Sequence, residues 1–225
     1  MTPDEKSPNR LLVEGNDDKH SVIHLLKRHG TVEDDTETGF PYIHVSGSIE
    51  KILESLSASA KTYKRLGILV DADNNPSKRW EQLRNRLLSL GIEAPDDSVE
   101  SGFVSFGFLS HSLIGVWVMP DNRSPGMLED FIATLIPFGD NCWPYAKEVT
   151  EIAKKKGAPY REGQEAKAEI HTWLAWQEEP GRPIGVALTA RYFEKDSTEA
   201  LAFVEWFRRL FLNPLEDVRI ANGEP

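Results

Sequence analysis

Three carboxylates stand where a sheet would end. Glu14 follows the apolar run of "RLLVEG", and Asp71 and Asp73 follow that of "RLGILVDAD". A carboxylate directly after a buried strand lies at the sheet edge, where an unpaired charge is costly. In an open parallel sheet, ligands collect beyond the carboxyl ends of the strands, so acids 57 positions apart in the chain can meet there. Asp71 and Asp73 flank Ala72, and an extended strand end would send both acids to one side. Carboxylates gathered at one point repel unless a hard cation joins them, and all-oxygen donors suit Mg²⁺ or Mn²⁺.

Each neighbouring acid also has an ordinary explanation. Asp17 and Asp18 fall in the first turn expected of a helix, where negative charge is favoured, so Asp18 stands between a cap and an extra ligand. Gly15 is expected to give the backbone room to turn. Asp73 lies in "DADNNP", a stretch rich in turn formers. "PDNRSPGMLED" adds Asp121 and Glu129 after another strand, either as further metal ligands or as turn and helix-surface acids. Lys167 and His171, four apart, share a helix face; Lys167 suits neutralisation of a scissile phosphate and His171 proton donation, although a His beside Trp173 is commonly a packed residue. Trp173, Trp176 and Trp206 read as core or groove aromatics.

The elements that must hold these residues follow from periodicity. "RLLVEG", "YIHV" and "RLGILVDAD" read as strands, the last a continuous apolar run expected of a strand covered on both faces. Helical spacing marks "DDKHSVIHLLKRHG", stopped at Gly30; "IEKILESLSASAKTY", capped by Ser48; and "NPSKRWEQLRNRLLSLG", with Pro76 in its first turn and Gly91 past its end. This alternation predicts an α/β fold with a mostly parallel central sheet between two helical layers. "TVEDDTETG" reads as an acidic loop, "GFVSFGFL" and "IGVWVMP" as two further strands, and "GMLEDFIATLI" as a helix. From Asn141 onward three helices are expected, in "WPYAKEVTEIAKKKG", "QEAKAEIHTWLAWQ" and "STEALAFVEWFRRLF". The expected organisation is a core over residues 1–140 and a helical extension over 141–225 packed on it, since no flexible linker separates them.

Composition narrows the function. The 225 residues carry a net charge of −10, so a broad basic surface for nucleic acid is not expected and any such binding should be weak without help. The single Cys142, placed in a Pro- and Trp-rich turn, gives neither a disulfide nor a zinc pattern. The polar N-terminus and the lack of an apolar run near the roughly 20 residues that span a bilayer lead us to expect a cytoplasmic, non-membrane protein. There is no Gly-x-Gly-x-x-Gly, no Gly-Lys-Ser/Thr loop and no Gly-x-Ser-x-Gly elbow.

"LLVEGNDDKH" together with "GILVDADNN" resembles the Toprim domain, the metal-binding module of type II topoisomerases, bacterial primases and OLD-family nucleases. The wider pattern, including "VWVMPDNRSPGMLEDFI" and "AEIHTWLAWQEEPGRPIGVALTARYF", looks like a small uncharacterised prokaryotic Toprim-like family. The Toprim resemblance covers roughly residues 9–137 and implies a three-layer Toprim-like fold. It assigns Glu14 an acid/base role beside the metal and gives Asp71 and Asp73 the Mg²⁺, with Asp18 at the position of an additional OLD-type acid. It further implies nuclease or related phosphodiester chemistry and, by analogy, an ATPase partner. A non-catalytic metal-binding, nucleotide-binding or interaction module is the other expectation, and it agrees better with the acidic charge.

Overall fold

The alternation of apolar side chains along three central strands builds two cores, one on each side of a sheet. In a computed structural model, which describes residues 6–31, 40–107 and 111–214, the strands are β1 (Asn9–Val13), β2 (Tyr42–Val45), β3 (Arg65–Asp71), β4 (Phe103–Gly107) and β5 (Ser112–Met119). Leu11, Val13, Leu69, Leu113, Trp117 and Met119 enter one core, while Leu12, Leu66, Ile68, Val70, Ile114, Val116 and Val118 enter the other. A period of two with both faces covered is the arrangement expected for strands buried in a parallel sheet.

The sheet order is β2-β1-β3-β5-β4, with only the edge strand β4 antiparallel to its neighbour. Helix α1 (Asn16–Arg28) follows β1 and packs on the first core, whereas α2 (Ile49–Thr62) and α3 (Pro76–Ser89) pack on the second. Adjacent strands β1 and β3 therefore send their following helices to opposite faces. That divergence opens a crevice beyond their carboxyl ends, where Glu14 and Asp71 stand. The expected mostly parallel α/β sheet flanked by helices is what the chain forms.

Local signals explain the boundaries. The Ser48 hydroxyl accepts from the Lys51 N–H at 3.5 Å and Asn75 Oδ1 from the Lys78 N–H at 2.9 Å, so α2 and α3 start on capping side chains. Gly30 and Gly91, past the ends of α1 and α3, take positive φ angles of 59° and 73°, which relieve the chain of continuing the helix.

The first core is completed by α4 (Leu128–Ala133), α5 (Cys142–Lys155), α6 (Glu165–Leu174), α7 (Ile184–Thr189) and α8 (Thr198–Phe207), the last running into a π-helical turn (Arg208–Leu212). Trp206 and Phe203 of α8 lie against Trp117 of β5, with ring centroids 5.9 and 5.4 Å apart, in the same cluster as Leu11. Close approach depends on missing side chains: a Cβ on Gly67 would stand 2.7 Å from Leu11 and 2.9 Å from Phe211, and one on Gly115 would stand 2.7 Å from Leu210.

Several expectations are corrected. The helix expected over "GMLEDFIATLI" is only the six residues of α4, and α7 was not anticipated; a six-residue helix is too short for a clear periodic signal. Cys142 opens α5 instead of lying in a turn, and is exposed. Most of the acidic loop 31–39 and the end of "GFVSFGFL" lie outside the described residues. Among the described residues no helix is long and apolar enough to cross a membrane.

Candidate functional site

Five acids line one cleft of about 510 Å³ at the crevice between β1 and β3. Glu14 comes from the residue after β1, Asp18 from the first turn of α1, Asp71 from the last position of β3, and Glu129 from the first turn of α4. Asp17 and Lys167 complete its charged lining.

Backbone N–H groups fix these carboxylates. The Asp71 N–H donates to Glu14 Oε1 at 3.0 Å, and the Ile49 N–H at the start of α2 also donates to that carboxylate. Asp71 Oδ1 accepts from the Leu128 N–H at 2.9 Å, at the start of α4, and Asp18 Oδ2 from the Gly15 N–H at 2.6 Å. Sheet end and helix starts are thereby tied together through the acids themselves. The expected role of Gly15 is corrected by its φ of −131°, an extended conformation open to any residue. Its lack of a side chain answers a different need: a Cβ would stand 3.3 Å from Asp18 Oδ2.

Burial without matching cations shapes the electrostatics. Asp18 is 9% exposed; burial first, then the charges of Glu14, Glu129 and Asp17, push its carboxyl up to about 7. Burial, followed by the charges of Asp18, Glu14 and Glu129, raises Asp71 well above the usual carboxylate range. Burial raises Glu14 too, although the Asp71 N–H and Arg79 oppose it. Lys167 is the cation on the other side, 3.2 Å from Glu129 Oε1 and 3.5 Å from Asp17 Oδ2. Burial lowers the Lys167 ammonium, but Glu129 and Asp17 more than offset this and hold it above its ordinary value.

The remaining sequence candidates stand elsewhere. Asp73 does not share the cleft: β3 ends at Asp71, and Asp73 takes a φ of 51° in the turn before α3, so strand alternation no longer applies to it. Its Oδ2 accepts from Arg79 Nη2 at 2.5 Å with the side chain 57% exposed, while Arg79 Nε donates to the Asp71 carbonyl at 2.7 Å. Asp121 turns inward on its own loop, accepting from the Arg123 and Ser124 N–H groups at 2.9 and 2.6 Å and from the Ser124 hydroxyl at 2.7 Å. His171, one turn beyond Lys167 on α6, is exposed and outside the cleft lining. Trp173 and Trp206 are buried, whereas Trp176 is exposed and stacks on Tyr145 at 5.5 Å.

Sequence reading missed Arg79, which clamps the strand end, and Gln164, which lines the cleft. It read Asp17 as a helix-start charge alone, yet Asp17 meets Lys167 from 150 positions away. A basic residue in the first turn of the helix after an acidic strand end was the available signal for Arg79. Gln164 carried none.

The donor set is all carboxylate oxygen, largely buried and short of positive charge, which fits a hard divalent cation by chemistry. As the side chains stand, no three His, Cys, Asp or Glu among the described residues are arranged to hold a metal ion. Residues 8–212 match the family described as "Protein of unknown function (DUF3226)", and the chain belongs to that family. Neither the curated proteins nor the solved structures include a match to the chain.

Proposed function

We propose that the cleft between β1 and β3 is a divalent-cation-dependent phosphodiester site, in keeping with the resemblance of "LLVEGNDDKH" and "GILVDADNN" to the Toprim domain. The observation that carries this reading is the convergence of Glu14, Asp18, Asp71 and Glu129 on one solvent-open cleft, with Lys167 as the one cation among its described lining residues. Repulsion among desolvated carboxylates is relieved either by protons or by a hard cation.

Asp71, Asp18 and Glu129 would hold Mg²⁺ or Mn²⁺, with Glu14 beside them. Bound there, the cation would neutralise charge on a phosphate oxygen and ease deprotonation of water. Glu14, fixed by two backbone N–H groups, would orient that water and take its proton. Lys167 reaches the cleft from α6, placed to meet a phosphate oxygen. Asp73 and Asp121 serve their turns in this reading, and His171 has no part in it.

Nucleic acid is the proposed substrate class, held weakly by a chain of charge −10 and assisted, as the resemblance suggests, by an ATPase partner in the cytoplasm. The same net charge favours a second reading, in which the site binds a cation or nucleotide without turnover.

Two measurements test the proposal. Mn²⁺ binding, followed by the loss of the free-ion electron paramagnetic resonance signal, is expected for the intact protein and should be weakened in Asp71→Asn; equal binding by both would remove the cleft from consideration. Labelled DNA and RNA, single- and double-stranded, are then incubated with protein and Mg²⁺ or Mn²⁺. Cleavage lost in Glu14→Ala supports the phosphodiester reading, whereas Mn²⁺ binding with no cleavage supports the second.

A further inference from the structure

At the opposite end of α1 from the acidic cleft lies a second cavity, of about 710 Å³ and reversed charge. Its lining is His24, Lys27, Arg28, Thr189, Arg191 and Lys195: four cationic side chains and no carboxylate among the described lining residues, in a protein of net charge −10. The C-terminal half of α1, the last residue of α7 and the segment after it supply these groups, and the two helices meet closely: a Cβ on Gly185 would stand 2.8 Å from His24.

We infer that this cavity is an anion site that takes a phosphate group, either on a small phosphorylated ligand or on a nucleic-acid backbone. The side chains are prepared for that ligand. Arg28 Nη1 donates to the Phe193 carbonyl at 2.6 Å and the Glu194 carbonyl at 3.2 Å, which fixes the planar guanidinium; these bonds involve one of its three nitrogens. Thr189 Oγ1 and His24 Nδ1 meet at 2.6 Å on the wall. Burial and then the like charge of Arg191 push the Arg28 guanidinium down, so two guanidinium groups press on each other. Among the described residues, Asp196 is engaged by Lys195 at 2.7 Å and stands 4.0 Å from His29 Nδ1.

Arg191 is the most telling residue. It follows the C-cap of α7 with a φ of 64°, and the Tyr192 and Arg191 N–H groups close the helix on the carbonyls of Ala187 and Leu188. Glycine is the usual residue there, since a Cβ is strained at positive φ. The chain carries a strained arginine at this position and so keeps a guanidinium on the cavity wall. Helix-end electrostatics account for Lys27 and Arg28 at the end of α1, but the dipole effect falls off within a turn and gives no reason for an arginine in the left-handed position.

The cavity is independent of the acidic cleft, and its test excludes divalent cations. Intact protein in EDTA is titrated calorimetrically with inorganic phosphate and pyrophosphate, and by fluorescence anisotropy with a short labelled single strand. Arg191→Gly removes the guanidinium while relieving the left-handed backbone, so its melting temperature should equal or exceed that of the parent. Binding of at least one probe is expected, weakened about tenfold or more in Arg191→Gly and also reduced in Lys195→Ala. Pyrophosphate binding assigns the cavity to a small ligand, and binding of the strand alone assigns it to a nucleic-acid backbone. Failure of every probe, or an affinity that Arg191→Gly leaves unchanged, overturns the inference.

Discussion

Two sets of acids, alike in residue type and in lying near the carboxyl ends of strands, meet opposite fates. Asp71 and Asp18 are enclosed, held by one backbone N–H each, and pushed far above the usual carboxylate range. Asp73 and Asp121 sit at the turns just beyond, where Arg79 pairs with the first and Ser124 and Arg123 hydrogen-bond the second. The Asp121 carboxyl feels some burial, but these donors bring it below its ordinary value. Burial first, and then the charges of neighbouring carboxylates, more than the position in a motif, mark an acid of the cleft.

The largest effect should be the pH response of the enclosed set. Asp18 rises from 3.8 to about 7, so the folded protein holds a proton that the unfolded chain releases. Its contribution to stability is complete below about pH 4 and is lost as pH rises through 7. In EDTA at pH 8, Asp18→Asn, which keeps an oxygen for the Gly15 N–H, should melt roughly 5–10 °C above the parent, with the gap closing by pH 4. A parent as stable as Asp18→Asn at pH 8 would break the distinction between the two sets. Next in size is cation affinity: Asp71→Asn should weaken Mn²⁺ binding by about tenfold or more and Asp73→Asn by less than about threefold. Equal losses would return Asp73 to the site.

Much of this is legible in the sequence. The apolar runs ending at Val13 and Val70 fixed strand ends, and the alternation of strands and helices fixed which edge Glu14 and Asp71 share. What failed was the extension of strand alternation one residue pair too far. Whether β3 stops at Asp71 or at Asp73 depends on Asn75 capping α3 and on the Asp73 turn pairing with Gly126, a partner 53 positions away. Contacts such as Lys167 with Glu129, or Arg191 with Arg28, join distant parts of the chain through packing of α6 on α4 and α7 on α1, and no local pattern encodes that packing.

Lys167 separates the partly compensated acid of the cleft from its uncompensated neighbours. Glu129 is 4% exposed and meets Lys167, so Lys167→Met should leave a buried charge unpaired. A loss of about 1–2 kcal/mol is expected in urea unfolding at pH 8, below the usual figure for a buried pair because Lys167 is 43% exposed. Adding Glu129→Gln should restore most of it, and a double-mutant cycle measures the coupling. A single-mutant loss that persists in the double variant would mean that Lys167 acts through packing.

The smallest effect belongs to Asp121 and has the opposite sign in pH. Its carboxyl is held below the ordinary value, so its contribution is present above pH 3.8 and fades as pH falls through the lower folded value. Asp121→Asn keeps an acceptor for the Ser124 and Arg123 N–H groups while removing the charge, and should lose only about 1 kcal/mol at pH 7. That loss should shrink in acid, as should the stabilisation expected of Asp18→Asn, because each parent carboxyl is then neutral; only the pH at which each difference fades and its sign differ. Melting both variants across one pH series therefore compares the environments directly. Curves for Asp121→Asn and Asp18→Asn that deviate from the parent in the same direction would mean that one electrostatic environment covers both sets of acids.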